Sequence, residues 1–351
     1  IVLMFSLIRP FIFNLDPEKA HDLAIKSLKY NFLPSNLFSV NEEEMLSTQL
    51  FGKEISNPIG LAAGFDKNAE VIKPMLGLGF GFVETGTVTP LPQKGNPKPR
   101  VFRLPKDGAI INRLGFNNDG LDAYTKRLKA RSPETGIVGA NIGHNKNSKD
   151  PVDDYVICAQ KVAAFCDYIT INVSSPNTPG LRTLQNKTRL SYLIEAVLEA
   201  ISNTDKPIFV KIAPDLLNED RADIAEIATK SAIAGLIVSN TTIGRNDNLK
   251  SPAKVETGGL SGIPLFDPST ALLSEMYRRT QGKVALIGAG GIFSGRDAFD
   301  KICAGASLVQ LYTGLIYQGP KIVRLIKDDL VNLLSDGGFK SVADAVGSQL
   351  K

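Results

Sequence analysis

In this 351-residue chain, residues able to do chemistry recur at the ends of short apolar runs. Taken in order, those ends carry Gly64 with Asp66 and Lys67, then Gly86-Thr87, then Asn141, then Asn172 with Ser174 and Ser175. Lys211, Asn240-Thr241, Gly290-Gly291 and Tyr312-Thr313 complete the series. The set is rich in amides, hydroxyls and lysines and poor in acids. It lacks the paired carboxylates that glycoside hydrolysis uses. Three cysteines (Cys158, Cys166, Cys303) and two histidines (His21, His144) offer no metal-ligand spacing and little material for a Ser-His-Asp triad. No metal is therefore expected. The remaining groups offer donors to an anionic, heteroaromatic ligand.

The glycines narrow that ligand. Gly288-Ala289-Gly290-Gly291 permits close backbone approach, and Ser294 can cap the helix that follows. GGLSG at 258–262 reads as a second, nest-like loop. A dinucleotide fingerprint would want glycine at 293, where Phe293 stands. A mononucleotide with one phosphate, such as FMN, suits the layout better, although Gly-rich strand ends are also ordinary turn chemistry. Lys211 sits inside the apolar run FVKIAP. Most lysines are surface residues, but one in a buried strand must face a counter-charge or a ligand. Beside a flavin it would stabilise the anionic reduced form. Lys67 is either an ordinary loop lysine or a substrate clamp.

The elements that must position these residues follow a simple rhythm. Eight short runs occur at 58–64, 82–87, 137–142, 168–173, 208–212, 234–240, 284–291 and 308–313. Helical patterns lie between most of them, at 119–131, 151–166, 188–203, 219–232, 267–281 and 294–303. Eight buried strands alternating with helices predict a (β/α)8 TIM barrel, with an open doubly wound sheet as the competing layout. Residues 45–56 predict a hairpin turning at Phe51-Gly52-Lys53, and 88–113, with five prolines, predict an inserted loop. Pro90, Pro92, Pro97 and Pro99 read as loop stiffeners.

The N-terminus has a different texture. Residues 1–15 are strongly apolar, but Arg9 and Pro10 interrupt the run well short of the about 20 residues a spanning helix needs. The segment predicts a core or terminal helix, or a monotopic helix lying in a bilayer interface. A signal peptide is not expected, because no small-residue cleavage site follows. Residues 16–33 predict a helix capped by Asp16, opened by Pro17 and ended by Pro34. The resulting organisation is a helical segment at 1–40 and a catalytic barrel at 41–351. Charged residues make up 22% and net charge is +4 without a Lys/Arg block, so nucleic-acid binding is not indicated.

Several segments taken together resemble the dihydroorotate dehydrogenases: LAAGFDKNAE, GFVETGTVTPLPQKGNPKPRVFRLP, INRLGFNNDG, INVSSPNTPGLR, VKIAPD, SNTTIGR and GGLSGIPL. The resemblance spans roughly residues 12–320. Soluble members of that family carry Cys at the position of Ser175 and lack a helical extension, whereas membrane-associated, quinone-reducing members carry Ser and have the extension. This chain has Ser175 and about 40 residues before the barrel.

By resemblance, FMN would be held by Ala62, Ala63, Gly64, Thr87, Asn141, Asn172, Lys211, Ser239, Gly262, Gly291, Tyr312 and Thr313. Dihydroorotate would meet Lys67, Asn112, Arg113, Leu114, Gly115, Phe116, Asn172, Asn177, Asn240 and Thr241. Ser175 would act as the base, Thr178 with a water would relay its proton, and Lys67 would provide electrostatic stabilisation. A membrane quinone would enter between the N-terminal helices and meet His21, Arg103 and Tyr312. The resemblance further implies dihydroorotate oxidation in pyrimidine biosynthesis, by a peripheral, monotopic protein. A short extension without a targeting segment points to the cytoplasmic face of a bacterial inner membrane. The rival readings are a soluble-oxidant member of the family, a non-redox phosphate-binding barrel and a non-catalytic membrane-surface module. The first two leave the helical N-terminus or INVSSPNTPGLR unexplained, and the third leaves the polar ring unexplained. His144 is assigned no role, and the cysteines read as small buried apolar residues.

Overall fold

Each predicted buried run forms a parallel strand, and the eight close into a barrel. The computed structural model describes residues 2–30, 43–50, 52–132 and 136–350. In chain order the strands are β1 (Thr48–Leu50), β2 (Lys53–Ile55), β3 (Ile59–Leu61), β4 (Phe82–Val88), β5 (Val101–Leu104), β6 (Ala109–Asn112), β7 (Ile137–Ile142), β8 (Tyr168–Asn172), β9 (Ile208–Ile212), β10 (Gly235–Val238), β11 (Gly259–Gly262), β12 (Ala285–Ala289) and β13 (Leu308–Leu311). The barrel runs β3-β4-β7-β8-β9-β10-β12-β13 and back to β3, all parallel. Closure rules out the open doubly wound sheet.

The helices are α1 (Val2–Asn14), α2 (Pro17–Lys29), α3 (Ile72–Gly77), α4 (Leu121–Lys129), α5 (Pro151–Val162), α6 (Lys187–Ala200), α7 (Asn218–Lys230), α8 (Phe266–Thr280), α9 (Gly295–Cys303), α10 (Thr313–Gln318), α11 (Ile322–Asp336) and α12 (Val342–Ala345). Local chemistry sets their starts. The Asp16 carboxylate accepts from the Glu18 and Lys19 amides, Asp150 does the same for α5, and the Ser294 hydroxyl accepts from the Asp297 amide. The largest apolar cluster fills the layer between strands and helices and includes Cys158, Cys166 and Cys303, all buried free thiols.

The interior of the barrel is divided in two. Its lower part is packed with Phe82, Tyr168, Phe209, Ile237, Ile287 and Leu308. Two glycines make room for the rings: a Cβ on Gly60 would lie 2.2 Å from Phe82, and one on Gly139 would lie 2.1 Å from Tyr168. The upper part is polar and leads to the strand ends.

Two sequence readings are corrected. Residues 88–113 are more than a loop, and GGLSG is a strand: β5, β6 and β11 form a three-stranded antiparallel sheet. In that sheet Arg103 pairs with Ile110, which pairs with Ser261. These three lie on one face and line the cavity above the barrel, whereas Leu104, Ala109, Ile111 and Leu260 form a small core of their own. The apolar N-terminal segment forms the expected helix, α1, with Pro10 inside it. The hairpin β1-β2 is as expected, with register Leu50 to Lys53. Pro34, the 40/41 boundary and Phe51 lie outside the described residues. No described helix is long and apolar enough to cross a membrane.

Candidate active site

The strand ends open into one cavity of about 1110 Å³ that continues between α1 and α2. Its polar end is built on asparagines that hold one another. Asn172 at the end of β8 donates to Thr87 Oγ1 (3.0 Å) and Asn141 Oδ1 (3.2 Å), and its own Oδ1 accepts from Ser174 Oγ (3.3 Å) and Asn240 Nδ2 (3.3 Å). Asn240 also donates to Ser174 Oγ at 3.0 Å, and Asn177 Nδ2 to Asn112 Oδ1 at 3.1 Å. Each amide is thereby oriented before any ligand arrives. The network also separates the two adjacent serines. Ser174 is fully buried and spent on the amides, whereas Ser175 is on the cavity wall, its Oγ accepting the Asn177 amide at 3.3 Å.

Beneath the asparagines lies Glu84, a carboxylate that sequence reasoning missed. It accepts from Asn141 Nδ2 (2.8 Å), Gln310 Nε2 (2.9 Å), Thr170 Oγ1 (3.0 Å) and Tyr168 OH (3.1 Å). The available signal was its placement within the apolar run FVETGT. Lys211 shares this buried environment and lines the cavity. Burial lowers its pKa, and the negative charge of Glu84 opposes that shift. Among the described residues Lys211 makes no hydrogen bond or ion pair, so its ammonium is available to a ligand. Lys67 also faces the cavity, and burial pushes its pKa down to about 8.

Opposite the asparagines is a glycine cradle. A Cβ on Gly262 would lie 2.2 Å from the Gly108 carbonyl, and one on Gly291 would lie 2.5 Å from Phe266 Cα; both have positive φ. Close packing against Gly108 and Phe266 admits only glycine at both positions, and it leaves bare backbone at the cavity wall. Thr313 begins α10 beside them, its hydroxyl donating to Ser261 Oγ at 2.9 Å.

The remaining cavity is apolar. From Tyr312 a line of edge-on rings passes through Phe65 (5.8 Å) to His21 on α2 (5.2 Å). Desolvation, with Lys67 nearby, holds the His21 pKa well below the usual value, so the imidazole is neutral. Arg103 donates to the carbonyls of Phe13 (3.1 Å) and Leu15 (2.8 Å) and fastens the end of α1 to β5. Arg100 fastens α2 through a two-pronged pair with Glu18 (2.8 and 3.0 Å).

Most of the predicted site residues line this cavity: Ala62, Ala63, Gly64, Lys67, Thr87, Asn112, Leu114, Gly115, Phe116, Asn172, Ser175, Asn177, Lys211, Ser239, Asn240, Thr241, Gly262, Gly291, Tyr312 and Thr313, with His21 and Arg103 at the helical end. Three do not. Asn141 lies one layer deeper, between Thr87 and Glu84. Thr178 is buried off the wall, its hydroxyl without a hydrogen-bond partner among the described residues. The Arg113 side chain points away, paired with Glu256 at 2.7 Å and stacked on Phe102. Asp66, flagged at a strand end, is fully used in accepting the Glu70 and Val71 amides. His144 is buried against Tyr155, its Nδ1 2.7 Å from the Asn145 carbonyl. Sequence reasoning also missed Asn117, a cavity residue with an unpartnered buried Oδ1, and Asn96 and Gln93. The last two hold the carbonyls of residues 113, 115 and 116, and so shape the loop that carries Phe116.

Fold and site together define a closed (β/α)8-barrel enzyme whose one cavity joins glycine-lined walls, a buried lysine and an asparagine-lined polar end. A family profile described as dihydroorotate dehydrogenase matches residues 45–334. The dihydroorotate dehydrogenase (quinone) of Parvibaculum lavamentivorans is 51% identical over 99% of both chains. The mitochondrial dihydroorotate dehydrogenase (quinone) of Mus musculus is 49% identical, over 95% of this chain and 87% of its own. The crystal structure of Eimeria tenella DHODH in complex with ferulenol superposes with TM-score 0.92 at 43% identity, covering 97% of this chain and 98% of that one. The chain belongs to the dihydroorotate dehydrogenase family, in its quinone-dependent class.

Proposed function

We infer that FMN is the group this site holds and that Ser175 is the catalytic base. The chain is an oxidoreductase that converts dihydroorotate to orotate with a quinone as final acceptor, a step of pyrimidine biosynthesis. When bound, FMN supplies the hydride acceptor for C6 of dihydroorotate and the donor to quinone. The observation that carries the FMN reading is the pairing, in one cavity, of the Gly262–Gly291 cradle with the unpaired ammonium of Lys211. The cradle fits a phosphate through backbone N–H groups. The ammonium fits the edge of a flavin that becomes anionic.

On the substrate side, Asn112, Asn172, Asn177 and Asn240 offer amide donors and acceptors to the pyrimidine ring, and Lys67 pairs with its carboxylate. Ser175 removes the C5 proton. The Asn177 backbone amide donating to Ser175 Oγ orients the serine and favours its deprotonated form, which eases release of its own proton to the relay. Thr178, whose buried hydroxyl lacks a partner, relays the proton onward. Asn141 acts from below by fixing Thr87 and Asn172. The helical segment and the barrel form two functional parts. Quinone enters through the apolar end toward His21, Arg103 and Tyr312.

Exposed apolar side chains support membrane attachment: Leu7, Ile8 and Phe11 on α1, Leu15 between the helices and Leu23 on α2, with Phe11 exposed to 74%. We place the protein peripherally on the cytoplasmic face of a bacterial inner membrane, so that the tunnel opens to lipid and the barrel faces water. The test is direct. The purified chain is expected to be yellow, with flavin absorption that bleaches on anaerobic addition of dihydroorotate. A colourless chain that FMN cannot reconstitute overturns the reading.

A further inference from the structure

Lys301 lies outside the cavity on α9 and is fully buried. Its ammonium donates to Ser269 Oγ (2.8 Å) and Thr270 Oγ1 (2.9 Å), and lies 5.0 Å from the centre of the Phe266 ring. All three partners are on the first turns of α8. Ser269 Oγ in turn lies 3.2 Å from the Gly290 carbonyl and 3.0 Å from that of Phe266. The adjoining Gly291 rests directly on Phe266. A short chain of contacts therefore runs from Lys301 through Ser269 to the Gly290-Gly291 turn.

This arrangement is electrostatically incomplete. No carboxylate among the described residues comes within 4.0 Å of the ammonium; Asp297 and Asp267 act on it only from farther away. The head of a helix carries partial positive charge, so a buried cation there is disfavoured twice, by desolvation and by the helix dipole. Burial accordingly pushes its pKa down to about 7. A methionine of similar length would fill the same space among the apolar residues of α9 without either cost. An anion near the head of α8 would offset both costs.

Building on the FMN reading, we propose that Lys301 is a positioning residue for the cofactor's phosphate. Its ammonium holds the Gly290-Gly291 turn through Ser269 and supplies, from behind the glycines, positive charge that the bound phosphate balances. Lys301 touches neither substrate nor the reacting ring, so its contribution is to selective retention of a phosphorylated flavin.

The test is to titrate the full-length, flavin-stripped chain with FMN and with riboflavin, which lacks the phosphate. For Lys301→Met, FMN affinity should fall about ten-fold at most, because the charge acts on the phosphate through the turn and not by direct contact. Riboflavin affinity should stay within about two-fold, because the ring contacts are untouched. Ser269→Ala should give a smaller loss of the same selectivity. Parallel weakening of both flavins would show that Lys301 only supports the fold, and unchanged affinities would also overturn the proposal. Lys301→Gln, read the same way, serves if the methionine variant does not fold. Failure of the FMN reading is separately visible, as a wild-type chain with no preference for FMN over riboflavin.

Discussion

The barrel mouth and the N-terminal helical pair meet in one cavity but are held together differently. At the mouth, every amide that faces the cavity from β8 and the loop after β10 is fixed by another side chain, and Glu84 anchors the set from four donors. The helical pair meets the barrel through apolar side chains and a few polar clamps: Arg100 with Glu18, Arg103 with the end of α1, and Lys29 with Glu70. Proton and hydride removal needs reacting groups held to fractions of an ångström. Admission of a bulky apolar oxidant needs only a greasy path of the right width. The two halves of the reaction should therefore respond separately to substitution.

The sharpest break is Ser175→Ala. Anaerobic flavin reduction by dihydroorotate should slow by ~10³-fold, within the range that general bases contribute, with FMN retained and reoxidation of chemically reduced enzyme by quinone unchanged. Near-normal reduction would mean that the base is elsewhere. Ser175→Cys should restore part of the rate, because a thiolate is a competent base.

Next in size is the effect of Lys67. Its pKa is lowered to about 8, so its ammonium is present below that pH and lost above it. The KM for dihydroorotate should rise above pH 8, approaching about ten-fold per pH unit, while kcat changes little because the substrate carboxylate pulls the pKa back up. Lys67→Arg should move this inflection out of the measurable range. A flat KM profile across pH 7–10 in the wild-type enzyme would remove Lys67 from carboxylate binding.

Removing residues 1–33 should lower quinone-dependent turnover by on the order of ten-fold or more, while a soluble dye still reoxidises enzyme reduced by dihydroorotate. Equal loss with both acceptors, together with a fall in Tm, would show instead that the helices support the barrel. The smallest effect expected is that of Arg100→Met. This leaves the carbonyls of Lys94 and Asn96 without the Arg100 donor and Glu18 with only the more exposed Lys98. Loss of a largely buried pair costs about 3 kcal/mol. The helical pair should loosen, raising KM for quinone more than KM for dihydroorotate. The opposite order would mean that the clamp serves the substrate loop, whose neighbour Asn96 it also holds.

Much of this was legible in one dimension because strand ends are local. A barrel strand must be apolar and must end where the apolar run ends, so Asn172, Lys211 and Gly291 announced themselves by position alone. The β5-β6-β11 sheet was not legible, because its third strand comes from about 150 residues later and pairs antiparallel with β6. GGLSG carries the same glycines whether it turns or pairs. Arg113 shows a similar limit: adjacent to Asn112 on the chain, it points the opposite way, into a pair with Glu256.

By itself the sequence determined which groups could react, since reactivity belongs to side-chain type: a serine in place of cysteine, unpaired lysines in apolar surroundings, amides in place of acids. Tertiary structure decided which of them meet. It separated Ser174 from Ser175 by giving the first to Asn172 and Asn240 and leaving the second on the cavity wall. It also brought Lys301 of α9 onto the Ser269 and Thr270 hydroxyls of α8. The physical reason is that hydrogen bonds and charges act over a few ångströms of space, and only closure of the barrel brings strands far apart in the chain within that reach.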